Sequence, residues 1–316
     1  MATTTKSNSN LTNAKKAKND EFYTQLTDIE KEMRFYKPFF KGKVVYCNCD
    51  DARESNFFKY FSLNFEHLGL KKLISTGYKE NGKGVVLIYE GDKNGNRQVD
   101  ADEIQVTELK GNGDFRSEEC IEFLKQADVV VTNPPFSLFR EYVKQLMEFG
   151  KKFLVVGSMN AITYKEIFPY IKNNELWLGM TWIKEFIQPN KEIKKFGNIC
   201  WFTNLDNKKH NEPIDLYRKY SNEYYPKYDN YDAIEVSKVS EIPMDYNGVM
   251  GVPITFLDKY CPTQFEIVGL CNDKRNDNDC FIKCTPTYLD EKHKNFVGCI
   301  VKGKATYARI FIRKLV

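Results

Sequence analysis

Hydrophobic residues in the first part of the chain alternate between short apolar runs and longer stretches with helical spacing. Residues 43–49 (KVVYCNC) are mostly β-branched or aromatic, which predicts a strand. Residues 53–68 carry apolar side chains at positions 57, 58, 61, 65 and 68, the spacing of one helix face. Residues 70–76 (LKKLIST) predict a second strand. This succession predicts a βαβ unit, and therefore a parallel sheet with a right-handed crossover.

The alternation is interrupted once and then resumes. Residues 84–109 contain two strand-like runs on either side of Asn94-Gly95, a strong turn signal, so we expect an inserted antiparallel hairpin. A helical stretch is predicted over 27–40, where Thr27 and Glu30 have capping-box spacing. The later elements predicted are helices at 117–126, 137–149 and 162–173, and strands at 127–132, 152–157, 175–180 and 198–204. This order predicts an α/β fold with a doubly wound, Rossmann-like sheet.

Three segments of the chain differ in composition. Residues 1–19 are mainly Thr, Ser, Asn and Lys with almost nothing apolar, which predicts a disordered basic tail. We expect the α/β domain to cover residues 20–205. Residues 206–316 lack the alternation of strands and helices, and they predict a C-terminal lobe of a different construction.

Composition narrows the class of protein. Hydrophobic residues make up 42% of the chain and aromatic residues 14%, enough to bury a sizeable core, which excludes global disorder. No apolar run approaches the length of about 18 residues that a membrane span needs. The polar start lacks the apolar segment of a secretory signal. The nine cysteines are expected as reduced thiols. We therefore expect a cytoplasmic protein with no membrane partner.

The net charge of +4 is unevenly distributed. Residues 1–20 hold four lysines and one aspartate, residues 206–316 have one excess positive charge, and the remainder is neutral. A basic tail is usually a solvated leader, and it is also what an arm lying on a polyanion requires. Charge neither requires nor excludes a nucleic-acid partner, so the partner must be inferred from motifs.

One motif carries chemistry. Asn133-Pro134-Pro135-Phe136 follows the apolar strand 127–132, and the carboxyl ends of strands carry the ligand site in open α/β sheets. An exocyclic amino group on a base is a poor nucleophile because its lone pair is delocalised into the ring. The Asn133 side-chain oxygen and the Pro134 carbonyl can accept its two hydrogens, and the prolines fix the direction of that carbonyl. Phe136 can stack on a base flipped out of a duplex. The motif therefore favours methyl transfer from a sulfonium donor.

With this motif at this position, the chain resembles the EcoRI-type adenine-specific DNA methyltransferases, which are modification enzymes of restriction systems. The resemblance covers nearly all of the chain past residue 18. It rests on residues 20–25, 44–51, 113–117, 132–140, 201–205 and 228–269. It implies S-adenosylmethionine as cofactor, the N6 amino group of adenine in duplex DNA as methyl acceptor, and a C-terminal target-recognition region. It also raises the expectation of a cognate restriction endonuclease, which the sequence does not identify.

The resemblance implies cofactor contacts for five residues. Tyr23 and Thr24 resemble the segment that runs beside the methionine carboxylate of the cofactor. Asp114 resembles the acidic residue near its adenine end. Ser137 and Phe139 fall where the helix after the catalytic loop packs against the cofactor pocket.

The turn after the first predicted strand departs from the usual methyltransferase pattern, because residues 47–51 (CNCDD) contain no glycine. Asn and Asp tolerate left-handed backbone angles better than most residues, so Asn48 and Asp50 are expected to substitute and to contact the cofactor. No clear acid follows the second strand to hold the ribose hydroxyls. Thr76 and Glu80 are the candidates there.

Several functions stay open on sequence alone. A similar loop serves other planar amino groups, so methylation of cytosine N4 in DNA or of a protein glutamine remains an alternative. The glycine-free turn keeps open a catalytically inactive DNA-binding relative. Sequence specificity is expected from the C-terminal region and from residues 180–197, which include Trp182. The recognition sequence does not follow from any residue.

Two patterns resemble metal sites. Residues 92–103 (DKNGNRQVDADE) carry calcium-loop spacing, but the sixth position is arginine instead of glycine and the flanks predict strands, which favours a hairpin. Cys280 and Cys284, with Cys271 nearby, suggest zinc, but their spacing is loose and His293 is the only local histidine. Structural thiols are the favoured interpretation, and we expect no metal.

Overall fold

A computed structural model describes residues 23–49, 51–187, 193–271, 279–289 and 296–315. These residues divide into two units. The first comprises the described residues up to Met159 together with Gly179–Leu205, and the second comprises Asn160–Leu178 and the described residues from Asp206 onward. In the described ranges, every helix is too short or too polar to cross a membrane.

The first unit is built on a nine-stranded sheet. Its strands are β1 (Tyr23–Thr24), β2 (Val44–Cys47), β3 (Lys72–Gly77), β4 (Val85–Tyr89), β5 (Gln105–Glu108), β6 (Val129–Thr132), β7 (Lys152–Ser158), β8 (Trp177–Ile187) and β9 (Ile193–Thr203). The first two residues of β8, Trp177 and Leu178, fall in the second unit. Its helices are α1 (Leu26–Met33), α2 (Asn56–Leu63), α3 (Phe65–Leu68), α4 (Glu118–Gln126) and α5 (Phe139–Glu148).

The strand order is β1-β8-β9-β7-β6-β2-β3-β4-β5. The four central strands β7, β6, β2 and β3 are parallel, and β9 and β4 flank them antiparallel. The chain winds outward from β2 to β3 in one direction and from β6 to β7 in the other. The pair β2 and β6 is therefore the topological switch point, where ligands bind in sheets of this kind.

The central strands form because their residues suit a sheet covered on both faces. All four residues of β2 (VVYC) and of β6 (VVVT) are buried, as expected for parallel strands. Their register pairs Val45 with Val129. The Asp128 carboxylate accepts a hydrogen bond from the Val44 N–H at 2.8 Å, which ties the beginnings of the two strands together.

The strands on the outer side of β3 are antiparallel. β4 pairs with β3 and with β5, placing Leu87 opposite Val106. Strands, not helices, therefore flank residues 92–103. Within that segment the Asp92 carboxylate accepts hydrogen bonds from the N–H groups of Gly95 and Arg97, each at 2.6 Å.

The second unit has a smaller sheet with order β10-β11-β15-β12, and a separate pair formed by β13 and β14. These strands are β10 (Ile234–Glu235), β11 (Met250–Pro253), β12 (Phe265–Cys271), β13 (Ile300–Val301), β14 (Lys304–Ala305) and β15 (Arg309–Lys314). One short α-helix, α6 (Phe168–Lys172), lies in this unit among the described residues. In the central strand β15, Ile310, Phe311 and Ile312 are fully buried, so the core of this unit lies around it.

The predicted α/β class is confirmed, but some element boundaries were wrong. α1 begins at Leu26 after Gln25, which provides no side-chain cap, so Thr27 lies inside the helix and does not cap it. The helix predicted over 162–173 is restricted to α6. Pro169 stands in its first turn, where the missing N–H and fixed φ are tolerated.

A buried carboxylate joins α1 to β8 within the first unit. Glu32 is fully buried, and it accepts hydrogen bonds from the Met180 N–H, the Thr181 N–H and the Thr181 hydroxyl at 2.6–2.7 Å. Burial raises the pKa of this carboxyl, and the bonds from Thr181 and Met180 oppose that rise. Glu32 therefore satisfies three donors that would otherwise lose their partner.

Replacing Glu32 with alanine is expected to lower the free energy of unfolding by about 2–4 kcal/mol, because each unsatisfied buried donor costs about 1–3 kcal/mol. Urea unfolding followed by circular dichroism measures the change. Glu30→Ala is the control, since Glu30 is exposed on the same helix and its removal should shift stability by less than about 0.5 kcal/mol. Equal stability of Glu32→Ala and the native chain would contradict this account.

Candidate active site

A cavity of about 300 Å³ lies in the first unit, beyond the carboxyl ends of β2, β3 and β6. Its lining consists of Cys49, Tyr78, Glu80, Gly113, Asp114, Phe115, Arg116, Pro135, Ser137 and Leu138. Two carboxylates and one guanidinium thus stand beside aromatic and aliphatic groups. The cavity is at the topological switch point, where the strand order predicts a ligand.

The turn after β2 adopts a left-handed conformation at Cys49, whose φ is +72°. This conformation costs a non-glycine residue about 1–2 kcal/mol, and such strain concentrates at functional sites. The sequence predicted a left-handed position at Asn48 or Asp50. That reasoning was wrong for Asn48, whose φ is not positive, and Asp50 lies outside the described residues. Cys49, which sequence reasoning did not select, forms the cavity wall.

Asn48 anchors the same turn. It is buried, its backbone carbonyl accepts a hydrogen bond from the Thr132 hydroxyl at the end of β6, and its side-chain Oδ1 accepts one from the Tyr142 hydroxyl. Burial raises the pKa of Tyr142, which keeps this phenol protonated as a donor. Asn48 therefore ties together β2, β6 and α5, and its side chain is not part of the cavity lining.

The Asn-Pro-Pro-Phe segment follows β6 directly. Asn133 is 6% exposed, Pro134 is buried, and Pro135 belongs to the cavity wall. The Pro135 carbonyl accepts a hydrogen bond from the Leu138 N–H at 2.9 Å, which closes the turn leading into α5. The Pro134 carbonyl is not used in that turn. The loop thus presents a buried amide side chain next to the cavity.

Phe136 connects the loop to β8, the neighbour of the edge strand β1. Its half-buried ring packs edge-to-face on Phe186 of β8, with ring centroids 6.2 Å apart. Thr24 of β1 lies opposite Phe186 in the antiparallel register, next to the half-buried Tyr23. The Thr24 hydroxyl is buried and has no hydrogen-bond partner among the described residues. β1 and the loop therefore meet at the same strand, β8.

Asp114 is held by its neighbour Arg116. The Arg116 Nε and Nη2 atoms lie 2.9 and 2.6 Å from the two carboxylate oxygens of Asp114, and Nη1 lies 3.3 Å from the Glu141 carboxylate. The hydrogen bonds from Arg116 lower the pKa of Asp114. Asp114 is therefore ionised at neutral pH, and a carboxylate in this state retains further lone pairs for a ligand.

The structure brings together only some of the residues selected from the sequence. Asp114, Ser137 and Pro135 line the cavity. Phe139 is 2% exposed and packs on Phe202, with centroids 5.0 Å apart, so it contributes to the core beneath α5 and not to the lining. Of the two candidates after the second strand, Glu80 lines the cavity. Its companion Thr76 is buried, at 2.7 Å from the Tyr46 hydroxyl.

Sequence reasoning gave no role to four further lining side chains. These are Tyr78, Phe115, Arg116 and Leu138. The sequence does indicate the contact made by Arg116, because an arginine two residues after an aspartate in a turn that begins with glycine can form an ion pair with that aspartate. Tyr78 had none, because its position depends on how the segment after β3 leaves the sheet.

Comparisons with known proteins place this chain among relatives of similar length. The family model described as "Adenine-specific methyltransferase EcoRI" matches residues 10–315. The chain is 49% identical to the Type II methyltransferase M.EcoRI of Escherichia coli, over 96% of this chain and 95% of that protein. It is 42% identical to M.MpnI of Mycoplasma pneumoniae and 41% identical to M.MgeORF184P of Mycoplasma genitalium, each over 95% of this chain and 97% of the relative. No solved structure matches it.

Proposed function

This chain belongs to the EcoRI family of adenine-specific methyltransferases, and we propose that it methylates DNA at the cavity of the first unit with the Asn133–Phe136 loop as catalytic segment. It is a Type II DNA methyltransferase of the restriction–modification kind. The observation that carries the proposal is the buried Asn133, two residues before Pro135 in the wall of a cavity that also contains the Asp114 and Glu80 carboxylates, at the switch point of the sheet.

The cavity has the chemistry that S-adenosylmethionine requires. Its volume of about 300 Å³ is at the small end of the usual range for ligand pockets. Phe115 and Leu138 offer apolar surface for a purine ring, and Asp114 offers a carboxylate for its amino group. No residue of β3 itself provides an acid to bind the ribose hydroxyls. Glu80, which follows β3 in the chain and lines the cavity, is assigned that role. When bound, the cofactor supplies an electrophilic methyl group on a positively charged sulfur.

The methionine end of the cofactor is assigned to β1. Tyr23 and Thr24 reach the loop through Phe186, and the buried Thr24 hydroxyl has a hydrogen bond to give. Ser137 is exposed at the cavity and is assigned to the same cofactor. Asn48 is assigned no direct contact with the cofactor. Its hydrogen bonds fix the turn that carries Cys49.

The chain activates its substrate by accepting hydrogen bonds. The Asn133 Oδ1 and the Pro134 carbonyl oxygen each accept a hydrogen bond from the adenine N6 amino group. Its nitrogen then pyramidalises and directs its lone pair at the methyl carbon. Pro134 and Pro135 hold the acceptors without an N–H of their own, so the geometry is set before the substrate arrives. After the transfer the nitrogen loses one proton, which is released to solvent.

The base must leave the duplex to reach this loop, at a cost of a few kcal/mol. Phe136 offers a ring for the extruded adenine, and its packing on Phe186 fixes the plane in which it can stack.

Sequence specificity is assigned to residues 206–316 and to the ends of β8 and β9. β8 carries the half-buried Trp182, and β9 carries Lys194 and Lys195. A restriction endonuclease that cuts the same sequence would be the natural partner of this activity.

Isothermal calorimetry with S-adenosylmethionine and methyl transfer to duplex DNA test the proposal together. We expect one cofactor site per chain and labelled methyl recovered as N6-methyladenine. N4-methylcytosine, or label in a protein glutamine, would support the other amino-group acceptors. Absence of cofactor binding would favour an inactive DNA-binding relative.

The basic tail is proposed as an arm on DNA, although residues 1–19 lie outside the described ranges. Deleting them should weaken DNA binding and reduce the salt dependence of the association constant, by about 0.9 in the log–log slope for each lysine on a phosphate. Deleting only residues 1–5, which contain no lysine, is the control. Fluorescence anisotropy over a salt series measures both. Unchanged slopes for the longer deletion would show that the tail is only a leader.

A further inference from the structure

Three cysteine thiols meet in the core of the second unit. Cys271, Cys284 and Cys299 are 0%, 4% and 1% exposed, and their sulfur atoms all lie within 4.8 Å of one another. The Cys271 and Cys284 sulfurs are 3.0 Å apart. They come from the end of β12, from the 279–289 segment and from the residue before β13, so the cluster joins three separate parts of the chain.

We propose that Cys271, Cys284 and Cys299 are three thiolate ligands of a metal-binding site, and that the ion bound there is Zn²⁺. The proposal concerns the second unit alone and does not depend on the methyl-transfer chemistry. It departs from the sequence-based expectation of no metal. That expectation considered Cys280, which is not in the cluster, and overlooked Cys299, which is. His293 lies outside the described residues.

The spacing of the sulfurs suits one shared ion. Zinc–sulfur bonds are about 2.3 Å long, so tetrahedral geometry separates neighbouring sulfurs by roughly 3.8 Å. The Cys271 and Cys284 sulfurs, at 3.0 Å, are closer than that value, and no pair of the three sulfurs is more than 4.8 Å apart. A small adjustment of the three side chains then brings one ion within bonding distance of all three. The fourth position of the tetrahedron is left to a water or another small ligand.

The scaffold holds the three thiols in place. Asn230 accepts a hydrogen bond from the Ile300 N–H at 3.2 Å and donates to the Gly298 carbonyl at 2.9 Å, on both sides of Cys299. The Asn230 backbone carbonyl accepts from the Thr285 N–H at 3.0 Å, next to Cys284. The Leu270 carbonyl accepts from the Ile282 N–H at 2.9 Å, next to Cys271. Each cysteine is therefore adjacent to a fixed backbone group.

The surroundings favour a bound cation over free thiolates. Tyr228, Ala233 and Phe311 pack with the three cysteines in one apolar cluster, where an isolated thiolate would be poorly solvated. On binding, three S–H bonds break, three Zn–S bonds form and three protons leave to solvent. The product carries one negative charge.

A disulfide accounts for the cluster less well. A disulfide needs sulfurs about 2.05 Å apart, and Cys271 and Cys284 are at 3.0 Å. It would also use two of the sulfurs and leave the third beside them without a function.

Metal content of the full-length protein tests the proposal. The protein is stripped with a chelator under reducing conditions, reloaded with Zn²⁺, passed through gel filtration and analysed by mass spectrometry for zinc. We expect one zinc per chain and, with Co²⁺ in its place, a sulfur-to-cobalt charge-transfer band. No retained zinc together with no such band would overturn the proposal. An intact mass two hydrogens lower, with a Cys271–Cys284 disulfide in the peptide map, would overturn it as well.

Variants assign the ligands. Cys271→Ser, Cys284→Ser and Cys299→Ser should each lower zinc affinity at least about tenfold. Cys261→Ser is the matched control, because Cys261 is also fully buried in this unit but lies outside the cluster. Alkylation of the native chain gives an answer that does not need folded variants. Zinc should protect these three thiols from alkylation, and equal labelling of all three with and without zinc would contradict the site.

Discussion

Replacing Asn133 with alanine is expected to lower the rate of methyl transfer by at least about 100- to 1000-fold, the usual effect of removing one oriented polar group from a reaction site. Alanine removes one of the two acceptors that the adenine amino group needs. Asn133 is buried, and Pro135, two residues later, lines the cavity, so the change removes an acceptor without touching the residues that line the cofactor site. Single-turnover transfer of labelled methyl to DNA measures the rate.

Two further measurements make the Asn133 result specific. The affinity of Asn133→Ala for S-adenosylmethionine should stay within about threefold of the native chain, which separates chemistry from binding. Asn133→Asp retains an acceptor oxygen, so it should keep more activity than the alanine variant. Methyl transfer by Asn133→Ala at the native rate would remove the loop from the mechanism. Equal loss of activity in the alanine and aspartate variants would show that Asn133 acts other than as an acceptor.

Replacing Gly113 with alanine is expected to destabilise the first unit by about 2–5 kcal/mol and to weaken cofactor binding more than tenfold. Gly113 has a φ of +82°, and a Cβ there would stand 2.2 Å from the Gly77 carbonyl oxygen at the end of β3. The left-handed angle costs about 1–2 kcal/mol and overpacking about 1–3 kcal/mol more. Relieving the contact would move Asp114, the next residue, away from the cavity.

Gly111→Ala is the matched control for Gly113→Ala. No atom lies within 4 Å of a Cβ at Gly111, and its φ is not in the left-handed region. Chemical unfolding and calorimetry on the two variants separate the backbone requirement from a general effect of losing a glycine. Normal cofactor affinity in Gly113→Ala would show that the close approach of the Gly113 backbone to the Gly77 carbonyl is not needed for cofactor binding.

The sequence predicted the class of fold because the central strands are locally unambiguous. β2 (VVYC) and β6 (VVVT) are fully buried runs that begin with β-branched residues, and α5 buries Phe139, Tyr142, Val143 and Leu146 on one face. The position of the Asn-Pro-Pro-Phe loop was predictable for a related reason, since a loop that follows β6 lies at the ligand edge of a parallel sheet.

Other parts of the site depend on contacts that no local pattern encodes. Among the described residues of the β2 turn, the left-handed one is Cys49, while the hydrogen bonds of Asn48 to Thr132 and Tyr142 hold Asn48 in place. Those partners are distant in sequence. The meeting of Cys299 with Cys271 and Cys284 likewise depends on the packing around Asn230.

We propose that this chain methylates adenine N6 in duplex DNA through Asn133. The most direct test of this proposal maps modified bases in the genome of a host that lacks other DNA methyltransferases and expresses either the native chain or Asn133→Ala. We expect N6-methyladenine at one short sequence in nearly every copy with the native chain, and unmodified adenine at that sequence with the variant. Methylation confined to cytosine, or undiminished adenine methylation with the variant, would contradict the account.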